Sequence, residues 1–201
     1  MDIVCLDLEG VLIPEIWIAF AEETGIEALR ATTRDIADYD ELMTMRLDTL
    51  RTHRLGISEI QSVISGLSPL PGAAEFLDDL RTAYQVVILS DTFYDFASPL
   101  MAQLSWPTLM CHRLEINAEG MITGYRLRQE DPKRRAVEAF RLLNFSIFAA
   151  GDSYNDTSML GAADAGFLFR APSNVRAEFP SFKATDEYAE LRQLIDEAAS
   201  R

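Results

Sequence analysis

The chain has 201 residues, with 48% apolar and 25% charged side chains, 10 glycines and 8 prolines. That composition excludes fibrous and disordered classes and leaves room for one main core plus a modest inserted subdomain. Apolar runs such as 86–89 and 147–150 are strand-sized and far short of a membrane span. A net charge of −14 repels phosphate backbones, and the densest basic run, Lys133-Arg134-Arg135, is only three residues long, so no nucleic-acid partner is expected.

The N-terminus reads Met-Asp-Ile-Val-Cys-Leu-Asp, without a basic start followed by a separate apolar stretch and cleavage site, and a cytoplasmic location is expected. Residues 3–7 read as a buried strand, as do 85–91, 146–152 and 166–170, each dense in Val, Ile, Leu, Phe or Ala. Short strands alternating with helical periods predict an α/β fold, a Rossmann-like parallel sheet with helices on both faces. Nearly eighty residues separate the first two strands, more than one crossover needs. They read as helices over 14–24, 39–54, 58–66 and 71–83, with Pro14 at a first helical position and Gly25 at a helix exit. A helical cap over 14–69, inserted into a core of 1–13 and 70–201, is expected. Runs at 109–116 and 121–127 flank Asn117-Ala118-Glu119-Gly120 and read as a hairpin extending the core. Cys5 and Cys111 fall in apolar runs and read as inert core thiols. Trp17, Phe20, Trp106 and the scattered methionines read as packing residues, and His53 and His112 are assigned no role.

In parallel sheets the carboxyl ends of central strands form the ligand crevice, which would bring Asp7, Ser90 and Asp152 to one rim. Asp7 ends the first strand, where a carboxylate can attack phosphorus and ligate a metal. Gly151-Asp152-Ser153-Tyr154-Asn155-Asp156 ends another strand and brings two more carboxylates close. A hard divalent cation, most plausibly Mg²⁺, would offset their repulsion. Ser90 can donate its hydroxyl to a phosphoryl oxygen. Lys133, after Asp131-Pro132, opens a helix whose dipole is already positive there, so it needs a negative partner. Arg46 lies on the apolar stripe of its helix, with Leu42 and Met43, and a guanidinium on such a face wants a carboxylate. Glu15 follows Pro14 as an acid near a helix start.

Asp7-Leu-Glu-Gly, Ser90, Lys133 and Gly-Asp-Ser-Tyr-Asn-Asp stand in the order and approximate spacing of the four haloacid dehalogenase motifs. The chain resembles that superfamily over essentially its whole length. Within it, the phosphoserine phosphatases are most similar, above all the bacterial kind that also transfers the phosphoryl group from phosphoserine to homoserine. The resemblance implies a Mg²⁺-dependent enzyme in which Asp7 is the nucleophile and Glu9 the general acid and base. It further implies metal ligation by Asp7, Glu9 through its carbonyl, and Asp152, with Asp156 supporting the metal. Ser90 and Lys133 would hold the phosphoryl oxygens, Glu15 and Arg46 the amino-acid end, and Asn155 would orient the substrate. Two positions depart from the usual pattern: Glu9 stands where Asp is common, and Asp91-Thr92-Phe93 where glycines expose backbone donors. Asp91 is counted at the substrate site, its side chain expected to turn away from the phosphate. The expected partners are phosphoserine and homoserine, with the protein a monomer or homodimer. Another small phosphomonoester is the alternative substrate. A phosphate-accepting signalling module is opposed by size and cap, and a binding-only scaffold by the retained nucleophile, acid, lysine and metal carboxylates.

Overall fold

The computed structural model describes residues 1–32, 35–36 and 38–200. Its strands are β1 (Asp2–Leu6), β2 (Gln85–Phe93), β3 (Thr108–Ile116), β4 (Ile122–Arg126), β5 (Ser146–Gly151), β6 (Ala165–Phe169) and β7 (Lys183–Thr185). They pair in the order β4-β3-β2-β1-β5-β6-β7, parallel throughout except for the β3–β4 hairpin. This is the expected α/β sheet, with β1 at its centre and the hairpin extending one edge.

The helices are α1 (Ile16–Thr24), α2 (Tyr39–His53), α3 (Ile57–Ser65), α4 (Ala73–Ala83), α5 (Tyr94–Gln103), α6 (Pro132–Leu142), α7 (Thr157–Ala162), α8 (Ser173–Glu178) and α9 (Tyr188–Ala199). Successive β1 side chains point to opposite faces, and both faces are covered. Val4 and Leu6 join Leu77, Leu80, Leu191 and Ile195 from α4 and α9, in a cluster that continues into Phe20, Met43, Leu50 and Ile60 of the inserted helices. Ile3 and Cys5 join Val137, Met159, Leu160 and Val175 from α6, α7 and α8. Burial on both faces is why these strands read as unbroken apolar runs rather than alternating ones.

Some local expectations shift. The first inserted helix starts at Ile16, not Pro14, because Glu15 keeps extended backbone at its N-cap. The first helical N–H, that of Ile16, is taken from a distance by the Glu9 carboxylate at 2.9 Å. Gly25 ends the helix in the left-handed region at φ 69°, as expected. The next three expected helices sit within two residues of α2, α3 and α4. Trp106 is 66% exposed, not packed: it lies in the turn after α5 with φ 52°, outside the helical period that would aim it at the core.

The inserted helices rest on the hairpin and on α5. Ile57 N–H donates to Gly120 O at 2.9 Å, Gln61 donates to Asp95 O at 2.9 Å, and Tyr39 meets Tyr125 edge to face at 5.9 Å. The Tyr125 hydroxyl also bonds Asp40.

Cys5 and Cys111 are both free and buried, as expected of core thiols. Burial pushes the Cys5 thiol up to about 12, and burial together with Asp95 pushes Cys111 upward too. Since the thiolate is the reactive form, both should resist an aromatic disulfide reagent in the native protein at mildly alkaline pH and react promptly once guanidinium unfolds it. One equivalent reacting quickly without denaturant would mean that β1 or β3 opens.

Candidate active site

Asp7, Ser90 and Asp152 meet at one rim because their strands are neighbours in register. Leu6 pairs with Ile88 on one side and Ala150 on the other, and Asp7 N–H donates to Ala150 O at 2.9 Å. A cleft of about 770 Å³ opens at this rim, lined by Asp7, Glu9, Ser90, Asp91, Lys133 and Asp152 among others. Trp17, Tyr39, Leu42 and Arg46 of the inserted helices line it as well.

Lys133 enters at the start of α6 and is only 2% exposed. Its ammonium lies 2.7 Å from Asp156 Oδ1, 2.9 Å from Asp7 Oδ1 and 3.4 Å from Asp91 Oδ2, the negative partners its position demands. Burial alone would lower its pKa, but these three carboxylates outweigh it and hold the amine well above the usual lysine range.

Asp7, Asp152 and Asp156 each offer a carboxylate oxygen within 4.8 Å of the others'. The donor set suits a hard divalent cation. Burial and repulsion from Asp156 raise the Asp7 carboxyl well above the usual range, with Lys133 acting against them. Burial, then Asp156 and Glu15, lifts Asp152 to about 7. No ion pair among the described residues reaches Asp152, so this cluster holds more negative charge than its lysine neutralises. Asp156 is differently engaged: Oδ1 faces Lys133, and Oδ2 accepts from Asp152 N at 3.0 Å and Ser153 N at 3.1 Å. Both its oxygens are already held by donors.

Glycine permits this crowding at two points. Gly10 has φ +77°, and a Cβ there would stand 2.6 Å from the Asp152 carboxylate. A Cβ on Gly151 would stand 2.3 Å from Asp156 Cγ. Gly10 thus lets the first loop close on Asp152, and Gly151 lets its own loop fold back so that Asp156 lies against it.

Glu9 faces the cleft with its carboxylate at the N-terminus of α1. Burial raises its pKa, while the Ile16 N–H, Thr92 and Glu15 pull it down. Glu15 stands exposed at the N-cap of α1, on the cleft wall, its side chain hydrogen-bonded to Glu9. Arg46 is 7% exposed, its guanidinium 4.5 Å from the Trp17 ring centroid. Nη2 donates to Ala31 O at 2.8 Å, but among the described residues the buried Nε has no partner. Burial lowers its pKa to about 10, against the pull of Tyr39, Glu9 and Glu15.

Ser90 is buried, and its hydroxyl oxygen accepts from Thr92 N at 3.2 Å. Asp91, expected to turn from the phosphate, reaches Lys133 and accepts from Asn155 Nδ2 at 2.9 Å, because a buried ammonium and an amide together offer it more than solvent does. Two features, one in the cleft wall and one behind it, escaped the sequence reading. Trp17 carries the Arg46 guanidinium besides packing, and His112 sits 3.6 Å from Asp91. The pairing that brings β3 alongside β2, with Phe93 opposite His112, has no signature in a single sequence.

Residues 1–164 match the haloacid dehalogenase-like hydrolase family. A phosphoserine phosphatase, ThrH, of Pseudomonas aeruginosa is 60% identical over 201 residues, spanning 100% of this chain and 98% of the relative. A phosphoserine phosphatase of Pseudomonas syringae pv. tomato is 61% identical, spanning 100% of this chain and 85% of its own length. Among solved structures, phosphoserine phosphatase in apo form has a TM-score of 0.77 at 20% identity, over 97% of this chain and 98% of that one. A phospho-aspartyl intermediate analogue of phosphoserine phosphatase has a TM-score of 0.78 at 19% identity, over 96% and 98%. These two carry the fold alone. With four-fifths of the sequence matched and relatives aligned from end to end, the chain belongs to the haloacid dehalogenase-like hydrolase family.

Proposed function

We propose that this protein is a Mg²⁺-dependent phosphoserine phosphatase that works through an aspartyl phosphate on Asp7 and also transfers the phosphoryl group to homoserine. The observation that carries the reading is a single cleft with two unlike ends. One end gathers Asp7, Ser90 and Lys133, and the other is lined by the buried Arg46, whose Nε has no partner among the described residues. Phosphoserine has a phosphoryl group for the first and a carboxylate for the second. The two Pseudomonas relatives, named as phosphoserine phosphatases, support the same substrate.

In this reading the segment 14–69 acts as a cap over the core, and Arg46 and Glu15 hold the carboxylate and ammonium of the amino acid. Ser90 Oγ and Lys133 Nζ hold the phosphoryl oxygens, and Asn155, with Asp91 beside it, orients the substrate from the rim. Asp7 attacks phosphorus as the bond to the serine oxygen breaks. Glu9, whose carboxyl burial raises above the usual range, gives a proton to that oxygen from its acid form. Serine leaves. Glu9 then takes a proton from the acceptor, whose oxygen attacks phosphorus and restores the Asp7 carboxylate. Water as acceptor yields phosphate. Homoserine, with the same ammonium and carboxylate and one more methylene, yields phosphohomoserine from the same seat. Asp7, Asp152 and the Glu9 carbonyl would hold Mg²⁺, with Asp156 orienting Asp152 through its backbone. When bound, the cation would neutralise phosphoryl charge and the surplus of the carboxylate cluster.

Three outcomes test this reading. First, purified protein with Mg²⁺ should release phosphate from phosphoserine, and added homoserine should divert it into phosphohomoserine, seen by mass. Phosphate release indifferent to homoserine would remove the transferase half, and absence of both products would remove the substrate. Second, Asp7→Asn should lower turnover on the order of a thousandfold or more. It should leave the metal-free melting temperature unchanged or higher. The sign follows from the raised pKa of Asp7: a carboxylate whose ionisation is disfavoured by the fold costs stability at neutral pH, and Asn removes that cost. A strong fall in melting temperature would mean the loss reflects unfolding. Third, Arg46→Met should cut kcat/KM for phosphoserine by roughly a hundredfold, the scale of a lost buried charge-assisted pair. Turnover of p-nitrophenyl phosphate, which lacks the amino-acid groups, should change little. Equal losses on both esters would assign Arg46 to the fold.

A further inference from the structure

The mechanism above gives His112 no part and Asp91 no step, yet the two form an ordered chain of contacts leading into the phosphoryl end of the cleft. His112, on β3, is 3% exposed. Its Nδ1 accepts the backbone N–H of Arg128 at 3.1 Å, so the neutral ring carries its proton on Nε2. That nitrogen lies 3.6 Å from Asp91 Oδ1. The other carboxylate oxygen, Oδ2, accepts from Asn155 at 2.9 Å and stands 3.4 Å from Lys133 Nζ. Burial would raise the Asp91 carboxyl, but Lys133, His112 and Asn155 outweigh it and hold it below the usual carboxylate range. The result is a fixed anion beside Ser90 and Lys133, on the wall of the cleft.

We propose that His112 is a positioning residue that locks the Asp91 carboxylate against Lys133, so that Asp91 tempers the pull of Lys133 on Asp7 and crowds free phosphate out of its seat. The proposal rests on the phosphatase reading, with Asp7 as nucleophile and Lys133 as phosphoryl holder. Lys133 shares one positive charge among Asp7, Asp91 and Asp156. Without the Asp91 charge, that field falls on the other two, and an Asp7 carboxylate held harder by an ammonium is a poorer nucleophile. At the same time, a phosphate dianion seated on Ser90 and Lys133 loses a fixed negative neighbour and binds more tightly. Removing the Asp91 charge therefore acts in opposite directions on turnover and on product affinity, whereas simple structural damage weakens both.

The test measures kcat and KM for phosphoserine and p-nitrophenyl phosphate, the inhibition constant of inorganic phosphate and the melting temperature. It uses the Mg²⁺-loaded full chain as wild type, Asp91→Asn, His112→Gln and His112→Leu. Asp91→Asn should lower kcat about tenfold and make phosphate inhibit several-fold more strongly. His112→Gln, whose amide nitrogen can stand where Nε2 does, should stay within about threefold of wild type, while His112→Leu follows Asp91→Asn in kcat. If His112→Leu does not fold, Asp91→Asn and His112→Gln decide. Weaker phosphate inhibition in Asp91→Asn, or wild-type kcat in a folded His112→Leu, would overturn the proposal. Wild type inactive on both esters would sink the phosphatase reading itself; wild type active with unaltered variants would sink this inference alone.

Discussion

The rim of the sheet is organised around one buried ammonium. Lys133 is 2% exposed and touches Asp7, Asp91 and Asp156 within 3.4 Å. Removing a buried ammonium from its carboxylates costs ~3–5 kcal/mol, because they are left as uncompensated charges. Lys133 and its carboxylates are therefore bound to stay together, and each comes from a different part of the chain. Asp7 follows β1, Asp91 lies in β2, Asp156 follows β5, and Lys133 itself opens α6. Holding these four groups together constrains how the elements of the sheet's centre can meet.

One lysine does not balance the cluster, and local structure absorbs part of the difference. Asp156 is drawn back from the cleft by the N–H groups of Asp152 and Ser153 and by Lys133, which makes it a brace between α6 and the loop after β5. Among the described residues Asp152 receives no such ion pair, and its carboxyl is lifted to about 7 by burial and by Asp156. The tight approach of the loops, with no Cβ at Gly10 or Gly151, keeps Asp152 close to Asp7 despite the repulsion. A site that presses like charges together and shields them from water is strained in the direction that a cation relieves.

The sequence made the frame of this arrangement legible because its signals are local. Apolar runs ending in polar residues gave β1, β2, β5 and β6, and the positions of Asp7, Ser90 and Asp152 on one rim followed from the geometry of parallel sheets. The need of Lys133 for negative partners was readable from its place at a helix start. What escaped depends on pairing between distant segments or on segments with weak signals. β7 has three residues, too few for a period, and α5 carries Pro99 in its interior. The partners of Asp91 have no local signal, since its neighbours in sequence say nothing of Asn155, some sixty residues on, or of His112 on the adjacent strand. Trp17 and Trp106 look alike in a pattern of apolar spacing, yet one carries a guanidinium and the other lies in solvent.

The two ends of the cleft are unsatisfied with opposite signs, and this bears on selectivity more than any single contact does. At the rim, carboxylates outnumber the cation that serves them; at the inserted helices, a buried guanidinium keeps one N–H without an acceptor among the described residues. A buried donor without a partner costs ~1–3 kcal/mol. Under the proposed function, a ligand that relieves only one end recovers only part of this strain: a phosphate ester without a carboxylate leaves Arg46 unmatched, and an amino acid without phosphate leaves the phosphoryl seat beside Ser90 empty. Phosphoserine bound with a cation relieves both. The packing of α2 on the hairpin through Tyr39 and Tyr125, and of α3 through Gly120, sets the separation of the two ends. Discrimination among phosphomonoesters then depends on the seating of the inserted helices as much as on the groups in the cleft.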